Sequence, residues 1–430
     1  MKRIAVIGGG ISGLSAAVYL ANSGLSVELF EAAPKLGGRA FSFIDENSGD
    51  TVDNGQHILM GCYKETLQFL KLINAFDNLY FQENLIVNFI NKEKGVLPLK
   101  SFSKLYPFNL MLGILNYRAL NIFERVKILK LFFKLIAVPT DSLDNITVIE
   151  WLKNENQSEN ALKSFWEILA IGSLNTNIEK ASAKIFADIL KHIFFRGNKS
   201  STIILPETGL SELYCSKARD FISSHNGKVN ISCKVASVEI LRDKIVSLII
   251  NKKNITGFDY IISAVPFYSF QKLFNEDFLI QTEKLDFNYS PILNVHIWLK
   301  ENPLTDRFYG LIGSPVQWIF NHNKYISIVI SDAGSFIDIT NDEILDLVTV
   351  EINSFFPKLK SELISGYKVI REKRATFIPE PSVLNNRPSV KTKIKNLFLA
   401  GDWTDTGLPA TIESAVKSGK MAANSILNEV

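Results

Sequence analysis

Apolar positions fall into distinct rhythms along this chain, and each predicts a different element. RIAVI is a short apolar strand; after the glycines that follow it, Leu14, Ala17, Val18 and Ala21 recur at helical spacing on one face. Gly24 ends that helix, and Val27, Leu29 and Phe30 begin a second strand that stops at Glu31. The same strand-then-helix signature returns late in the chain, with a strand from Leu397 to Ala400 and a helix from about Ala410. Between them, SPILNVHIWLK alternates: Leu293, Val295, Ile297 and Leu299 face one side, and Asn294, His296 and Trp298 the other. Such a strand either floors a cavity with its polar side or lies in a half-solvated sheet.

A third pattern is amphipathic and basic. From Lys100 to Val138 the chain carries Lys100, Lys104, Arg118, Arg125, Lys127, Lys130 and Lys134 against one acid, Glu124. Phe102, Tyr106, Phe108, Phe123, Phe132 and Phe133 are interleaved with them. Within this stretch FERVKILKLFFKLIAV predicts a helix whose apolar positions are Val126, Leu129, Phe132, Phe133 and Ile136. Two readings fit: a helix lying in a membrane interface, its basic flank against lipid headgroups, or a core helix with solvated lysines.

Composition narrows the classes. A chain of 430 residues is too long for one ordinary core, so two domains, or one with large insertions, are expected. The formal net charge of +3 is small for this length and suggests no nucleic-acid partner. Cys62, Cys215 and Cys233 are far apart and form no CxxC pair, which argues against a zinc site or a disulfide framework and fits a reducing cytosol. Met-Lys-Arg followed by apolar residues imitates a secretory signal, but the five glycines between Gly8 and Gly24 fit a strand and helix better. No run of about 18 charge-free apolar residues follows, so no membrane-spanning helix is expected.

The glycines carry the first chemistry. Gly8, Gly10 and Gly13 stand at GxGxxG spacing between the first strand and its helix, with Ile11 and Ser12 inside the turn. The first glycine permits a tight turn, the second lets backbone approach a pyrophosphate, and the third lets helix and strand pack closely. The pyrophosphate then sits at the helix N-terminus, whose free N–H groups favour an anion. Glu31 ends the second strand beside Ala32, where a carboxylate accepts ribose hydroxyls and repels a 2′-phosphate, so NADP is disfavoured. Just beyond, APKLGGRAFSF adds Gly37, Gly38 and Arg39.

A Gly-Gly-Arg turn there resembles the flavin amine oxidase and phytoene desaturase superfamily, in which this element wraps the pyrophosphate of FAD and the arginine supplies charge. The resemblance implies an α/β fold with a Rossmann-type, FAD-binding parallel sheet and a second domain of mixed sheet and helices. It assigns residues 1–75, 205–267 and 386–430 to the FAD domain, and 76–204 and 268–385 to a substrate domain that faces the membrane. In GDWTDTGLPATIESAVKSG it places Gly401 and Asp402 near the ribitol and phosphates, and aims the N-terminus of the helix from about Ala410, with Thr411 and Ile412, toward the flavin pyrimidine. Pro206, Gly209 and Leu213 then precede a helix, Val235 meets the adenine, and YIISAVPF with Ala264 leaves the FAD domain.

Within that superfamily, VDNGQHILMGCYKET together with the GDWTDTG stretch is similar to the hydroxysqualene dehydroxylases. The resemblance covers essentially the whole chain, most clearly residues 1–67, 205–240 and 397–425. It implies a reductive step in isoprenoid and hopanoid precursor synthesis with a long isoprenoid substrate; such a substrate partitions into lipid, which agrees with a cytoplasmic protein in peripheral contact with the inner face of the cell membrane through its basic, aromatic residues 100–138. Asp53 and Gly55 occupy the place of an acid and a glycine close to the cofactor, so Gln56 and His57 project near the flavin ring. His57 then either protonates the departing hydroxyl, oriented by Gln56 or Asp53, or only hydrogen-bonds the FAD or backbone. Of the other histidines, only His296 has a plausible position. With one dinucleotide turn, the sequence names no electron donor. A polyene desaturase, an amine oxidase and a non-catalytic FAD-bound scaffold are the rival readings.

Overall fold

The computed structural model describes residues 2–101, 106, 108–137, 139–274, 287–384 and 386–430. A five-stranded, all-parallel sheet runs in the order Lys228–Asn230, Ser26–Phe30, Arg3–Ile7, Tyr260–Ser263, Leu397–Leu399. Its middle strand is RIAVI, whose Ile4, Ala5 and Val6 are wholly buried, as a central strand covered on both faces requires. The dinucleotide helix Ile11–Asn22 and the C-terminal helix Ile412–Leu427 lie together: Ser15 Oγ donates to the Val416 carbonyl at 2.9 Å. A Cβ on Gly419 would come within 2.2 Å of the Ser12 carbonyl oxygen, so that glycine sets how close the two helices pack.

A second, seven-stranded sheet is mixed, in the order Ile364–Phe377, Tyr289–Leu299, Tyr325–Ile330, Trp318–Asn321, Phe308–Leu311, Ile86–Asn91, Gly95–Lys100. Only its Phe308–Leu311 and Ile86–Asn91 pair is parallel. The helices between Asn109 and Phe194 share a core with strands of this sheet, Phe89 and Phe308 among them, in which Trp166, Tyr117 and Phe186 are among the largest enclosed side chains. The α/β architecture, a parallel sheet with helices beside a mixed sheet, is the one the sequence predicts.

Two expectations change in detail. The polar side of the Tyr289–Leu299 strand is not half-solvated: His296 is 1% exposed and Asn294 2%. Residues 50–54 cover it, and each polar side chain finds a partner there. Asn294 Nδ2 donates to the Asn54 carbonyl at 3.2 Å, His296 Nε2 to the Asp53 carbonyl at 2.9 Å, and Trp298 Nε1 to Asp50 at 2.9 Å. The strand thus floors the segment leading to His57.

The basic helix spans Ile122–Ala137 and has two apolar arcs rather than one. Ile128, Leu129, Leu131, Phe132 and Leu135 enter the core, whereas Ile122, Phe123, Val126, Phe133 and Ile136 face outward, Phe123 at 78% exposure and Phe133 at 53%. The predicted stripe therefore splits: Leu129 and Phe132 go inward, Val126, Phe133 and Ile136 outward. Glu124, the one acid, is buried and accepts from the Asn121 N–H, Ser158 Oγ and Asn160 Nδ2. Arg125 also turns to the protein, donating to the Leu115 and Leu120 carbonyls. Phe102, Lys104 and Val138 lie outside the described residues. Among the described residues, no helix is long and apolar enough to cross a membrane.

Candidate functional site

The glycine turn is built as its spacing requires. Gly8 has φ +108° and a Cβ there would meet the Ala264 carbonyl oxygen at 2.8 Å; one on Gly13 would lie 1.9 Å from the Gly8 carbonyl oxygen. Gly10 differs, because a Cβ on it would meet nothing within 4 Å. Gly10 is the N-cap of the dinucleotide helix, with no side-chain cap and no acid in the first turn. The leading N–H groups of that helix are therefore left for a ligand, and open space lies beside them.

The other predicted segments converge on this turn. Gly37 N–H donates to the Gly9 carbonyl at 2.8 Å, and a Cβ on Gly38 would sit 3.3 Å from the Gly10 Cα. Glu31 accepts from the Gly9 N–H at 2.5 Å and the Ala33 N–H at 2.7 Å, beside Ala32. Each carboxylate oxygen keeps a further lone pair for a hydroxyl. The Cys233 N–H donates to the Glu31 carbonyl at 2.7 Å, which brings the start of the Val235–Leu241 strand to the same end. Gly401 N–H is held by Ser418 Oγ at 2.8 Å, and Thr411 caps the C-terminal helix, accepting from the Ser414 N–H. Ile412 opens that helix.

Arg39, which the resemblance gives as the charge beside the pyrophosphate, also has partners within the protein. Its guanidinium donates to Asp402 Oδ1 at 2.7 Å and to the Ala375 carbonyl at 2.7 Å. The pair joins the Gly-Gly-Arg turn to the Gly-Asp turn 363 residues later, and Asp402 spends its acid on Arg39. Glu413, in the first turn of the C-terminal helix, is also committed. It is buried and accepts from the Glu65 N–H, the Thr66 N–H and Thr66 Oγ1, capping the helix Lys64–Leu72. A carboxylate at a helix N-terminus answers both its free N–H groups and its dipole.

The segment Asp53–His57 comes to this region. The Phe41 N–H donates to Asn54 Oδ1 at 3.1 Å, and Asn54 Nδ2 donates to the Arg39 carbonyl at 2.6 Å. His57 is half-buried and hydrogen-bonds no other described residue. Burial, and after it the neighbouring Arg39 guanidinium, pushes its imidazole down to about 4, so the ring is neutral at pH 7.

Neither Gln56 nor Asp53 orients that ring. Asp53 accepts from Ser42 Oγ at 2.6 Å and the Leu210 N–H at 3.0 Å, and burial raises its carboxyl. Gln56 Oε1 accepts from His322 Nε2 at 3.0 Å, and His322 stacks on Tyr325 with centroids 4.5 Å apart. His322 is a site residue that sequence reasoning missed, since nothing local links it to a glutamine 266 positions away.

His296 and His322 are both pushed down to about 4, chiefly by burial. An unfolded histidine takes up its proton near 6.5, so between about pH 6.5 and 4 the unfolded chain binds more protons. Stability is therefore lost as pH falls through that window, by about 1.4 kcal/mol per unit for each histidine. Thermal melts between pH 7 and 5 will show a shallower decline for His296→Gln than for the parent; equal slopes would refute this assignment.

The residues fit FAD: an open glycine cradle, an uncapped helix N-terminus for the pyrophosphate, and Glu31 for the ribose. Known proteins point the same way. The family described as flavin containing amine oxidoreductase matches residues 11–427. The hydroxysqualene dehydroxylase of Zymomonas mobilis is 27% identical, with 98% of each chain covered. That of Rhodopseudomonas palustris is 28% identical over 99% of this chain and 98% of its own. A 15-cis-phytoene desaturase from an Oncidium hybrid is 24% identical over 99% of this chain and 78% of its own. Among solved structures, cyclohexylamine oxidase from Brevibacterium oxydans superposes with a TM-score of 0.74 at 16% identity, covering 100% of this chain and 99% of that one, which speaks to fold alone. The chain is an FAD-dependent oxidoreductase and belongs to the family of flavin containing amine oxidoreductases.

Proposed function

We propose that the chain performs a reductive dehydroxylation: hydroxysqualene, a thirty-carbon allylic alcohol, loses its hydroxyl and becomes squalene. The observation that carries this reading is the similarity to hydroxysqualene dehydroxylases along the full length of both chains, at 27–28% identity against 24% for the phytoene desaturase. The C–O bond breaks with its electron pair, the hydroxyl takes one proton and leaves as water, and the carbon takes one hydride. Bound and reduced FAD supplies that hydride.

The chain's part is to hold the cofactor, bring the proton and keep water from the cationic carbon. Gly10, the first turn of its helix, Glu31 and the Gly401–Asp402 turn hold the FAD. His57 is our proton carrier: burial makes its imidazolium a strong acid, and no described residue ties up the ring. Asn294 and His296 brace the segment that bears it from beneath. Lipid extracts from reduced protein incubated with hydroxysqualene test the reading. Squalene supports it, whereas dehydrogenated products from phytoene and oxidised protein would favour the desaturase alternative, which the 24% identity keeps in play.

A hydrocarbon of this length stays in lipid, because burial of each methylene is worth about 0.8 kcal/mol. We propose that the outward arc of the Ile122–Ala137 helix, with Lys130 along one edge beside Lys127 and Lys134, which bond the Asn156 carbonyl and Glu155, rests on an anionic bilayer. Burying a phenylalanine contributes about 1.5–3 kcal/mol, so Phe123→Asp combined with Phe133→Asp lowers binding to phosphatidylglycerol vesicles by at least about 100-fold. Sedimentation with vesicles checks this, with FAD content unchanged; undiminished binding contradicts it.

A further inference from the structure

Arg387 lies in NNRPSV, outside every motif discussed above, and is only 7% exposed. Its donors go to one short loop. Nη1 donates to the Leu408 carbonyl at 2.6 Å, Nη2 to the Asp402 carbonyl at 2.6 Å and to the Thr404 carbonyl, and Nε to the Trp403 carbonyl at 3.4 Å. Nη2 also reaches Thr406 Oγ1 at 3.2 Å. The Phe377 ring covers the guanidinium, its centroid 5.1 Å from Cζ. None of these partners is a carboxylate: Asp402 turns its carbonyl to Arg387 and its carboxylate to Arg39. Burial draws the guanidinium pKa down to about 10, so the buried group keeps its charge at pH 7.

The loop so clamped joins the Leu397–Leu399 strand to the C-terminal helix, and it begins with the Gly401–Asp402 turn. The carbonyls of Asp402, Trp403 and Thr404 converge on one cation. In a trans peptide the N–H of one residue points opposite to the carbonyl of the residue before it. Fastening the Asp402 carbonyl to Arg387 therefore sends the Trp403 N–H to the other side of the loop. The far end is tied as well: Thr406 Oγ1 pairs with Ser414 Oγ at 2.7 Å, and Lys417 Nζ donates to the Thr406 carbonyl at 2.7 Å.

We propose that Arg387 is a positioning residue for FAD: by holding the Asp402 carbonyl it turns the Trp403 N–H to the opposite side of the loop, where it meets the cofactor, while the Thr404 and Asp405 N–H groups are spent on the Gly401 and Pro388 carbonyls. The guanidinium adds a buried positive charge that favours the reduced, more negative form of the bound flavin. The assignment rests on FAD binding and not on the identity of the substrate.

Arg387→Lys keeps the charge but offers three donors in place of a planar fork, and Arg387→Met removes both. Each is measured by FAD titration, by the visible spectrum of the bound flavin and by its midpoint potential. In Arg387→Lys we expect FAD affinity to fall about tenfold, with a shifted spectrum and a potential near the parent's. In Arg387→Met we expect a further tenfold loss weighted toward the reduced form, which moves the two-electron potential about 30 mV more negative per tenfold. Should Arg387→Met not accumulate as folded protein, Arg387→Lys carries the test alone. A lowered melting temperature with unchanged FAD affinity, spectrum and potential in Arg387→Lys would mean that the residue only stabilises the fold, and would overturn the proposal.

Discussion

Gly10→Val yields a protein that folds as before and loses its FAD on purification, with affinity for added cofactor lowered roughly 1,000-fold, about 4 kcal/mol. The backbone at Gly10, φ −71° and ψ 175°, is ordinary extended geometry that valine adopts freely. The added atoms enter open space, since a Cβ there meets nothing within 4 Å. That space is where the pyrophosphate must approach the first N–H groups of the dinucleotide helix. A branched side chain pushes the anion out of hydrogen-bond range, and two lost bonds to a charged group account for the magnitude at about 1.5–3 kcal/mol each. Gly13→Ala makes the contrasting case: its Cβ would lie 1.9 Å from the Gly8 carbonyl oxygen, so the turn itself is damaged and the FAD-free protein melts earlier. Circular dichroism separates the two variants, and a Gly10→Val protein that retained its flavin would remove the cradle from the account.

The second large effect is at His57. Conversion to glutamine lowers turnover about 100-fold at pH 7, the ordinary contribution of a positioned acid, while the flavin content stays at the parent level. The pH profile then tells which role the ring plays. With its pKa drawn down to about 4, imidazolium is roughly one part in a thousand at pH 7 and grows tenfold for each unit of acidification. Turnover limited by proton delivery from His57 therefore rises nearly tenfold per unit from pH 7.5 to 5.5. Below about pH 6.5 folding stability also falls, through His296 and His322, so initial rates are the quantity to compare. A rate that is flat with pH in the parent, and preserved in His57→Gln, means that the ring only holds a hydrogen bond.

Local signals in the sequence were enough for the cofactor end. The glycine turn and Glu31 combine a strand end with residue types that physics restricts, so short windows suffice there, whereas the Gly-Gly-Arg and Gly-Asp turns are readable only through their resemblance to a family. What escaped depends on partners far along the chain. His322 reaches Gln56 across 266 residues, and Glu413 reaches Thr66 across 347. Arg387 sits in an aperiodic stretch, and its partners are main-chain carbonyls, which leave no mark on side-chain patterns. The basic helix shows a further limit. Periodicity identifies its apolar residues but not which arc has a neighbour, and here both arcs are apolar while only one is covered. His296 was legible as a position but not as a role, because the cover over its strand comes from residues 50–54.

In the proposed function the reduced flavin of this protein is consumed by an allylic alcohol. The direct measurement is an anaerobic single turnover, in which protein with its FAD reduced is mixed with hydroxysqualene while absorbance and extracted lipids are followed. The expected result is reoxidation of the flavin with one squalene formed per flavin. A flavin that stays reduced in the presence of bound hydroxysqualene contradicts it.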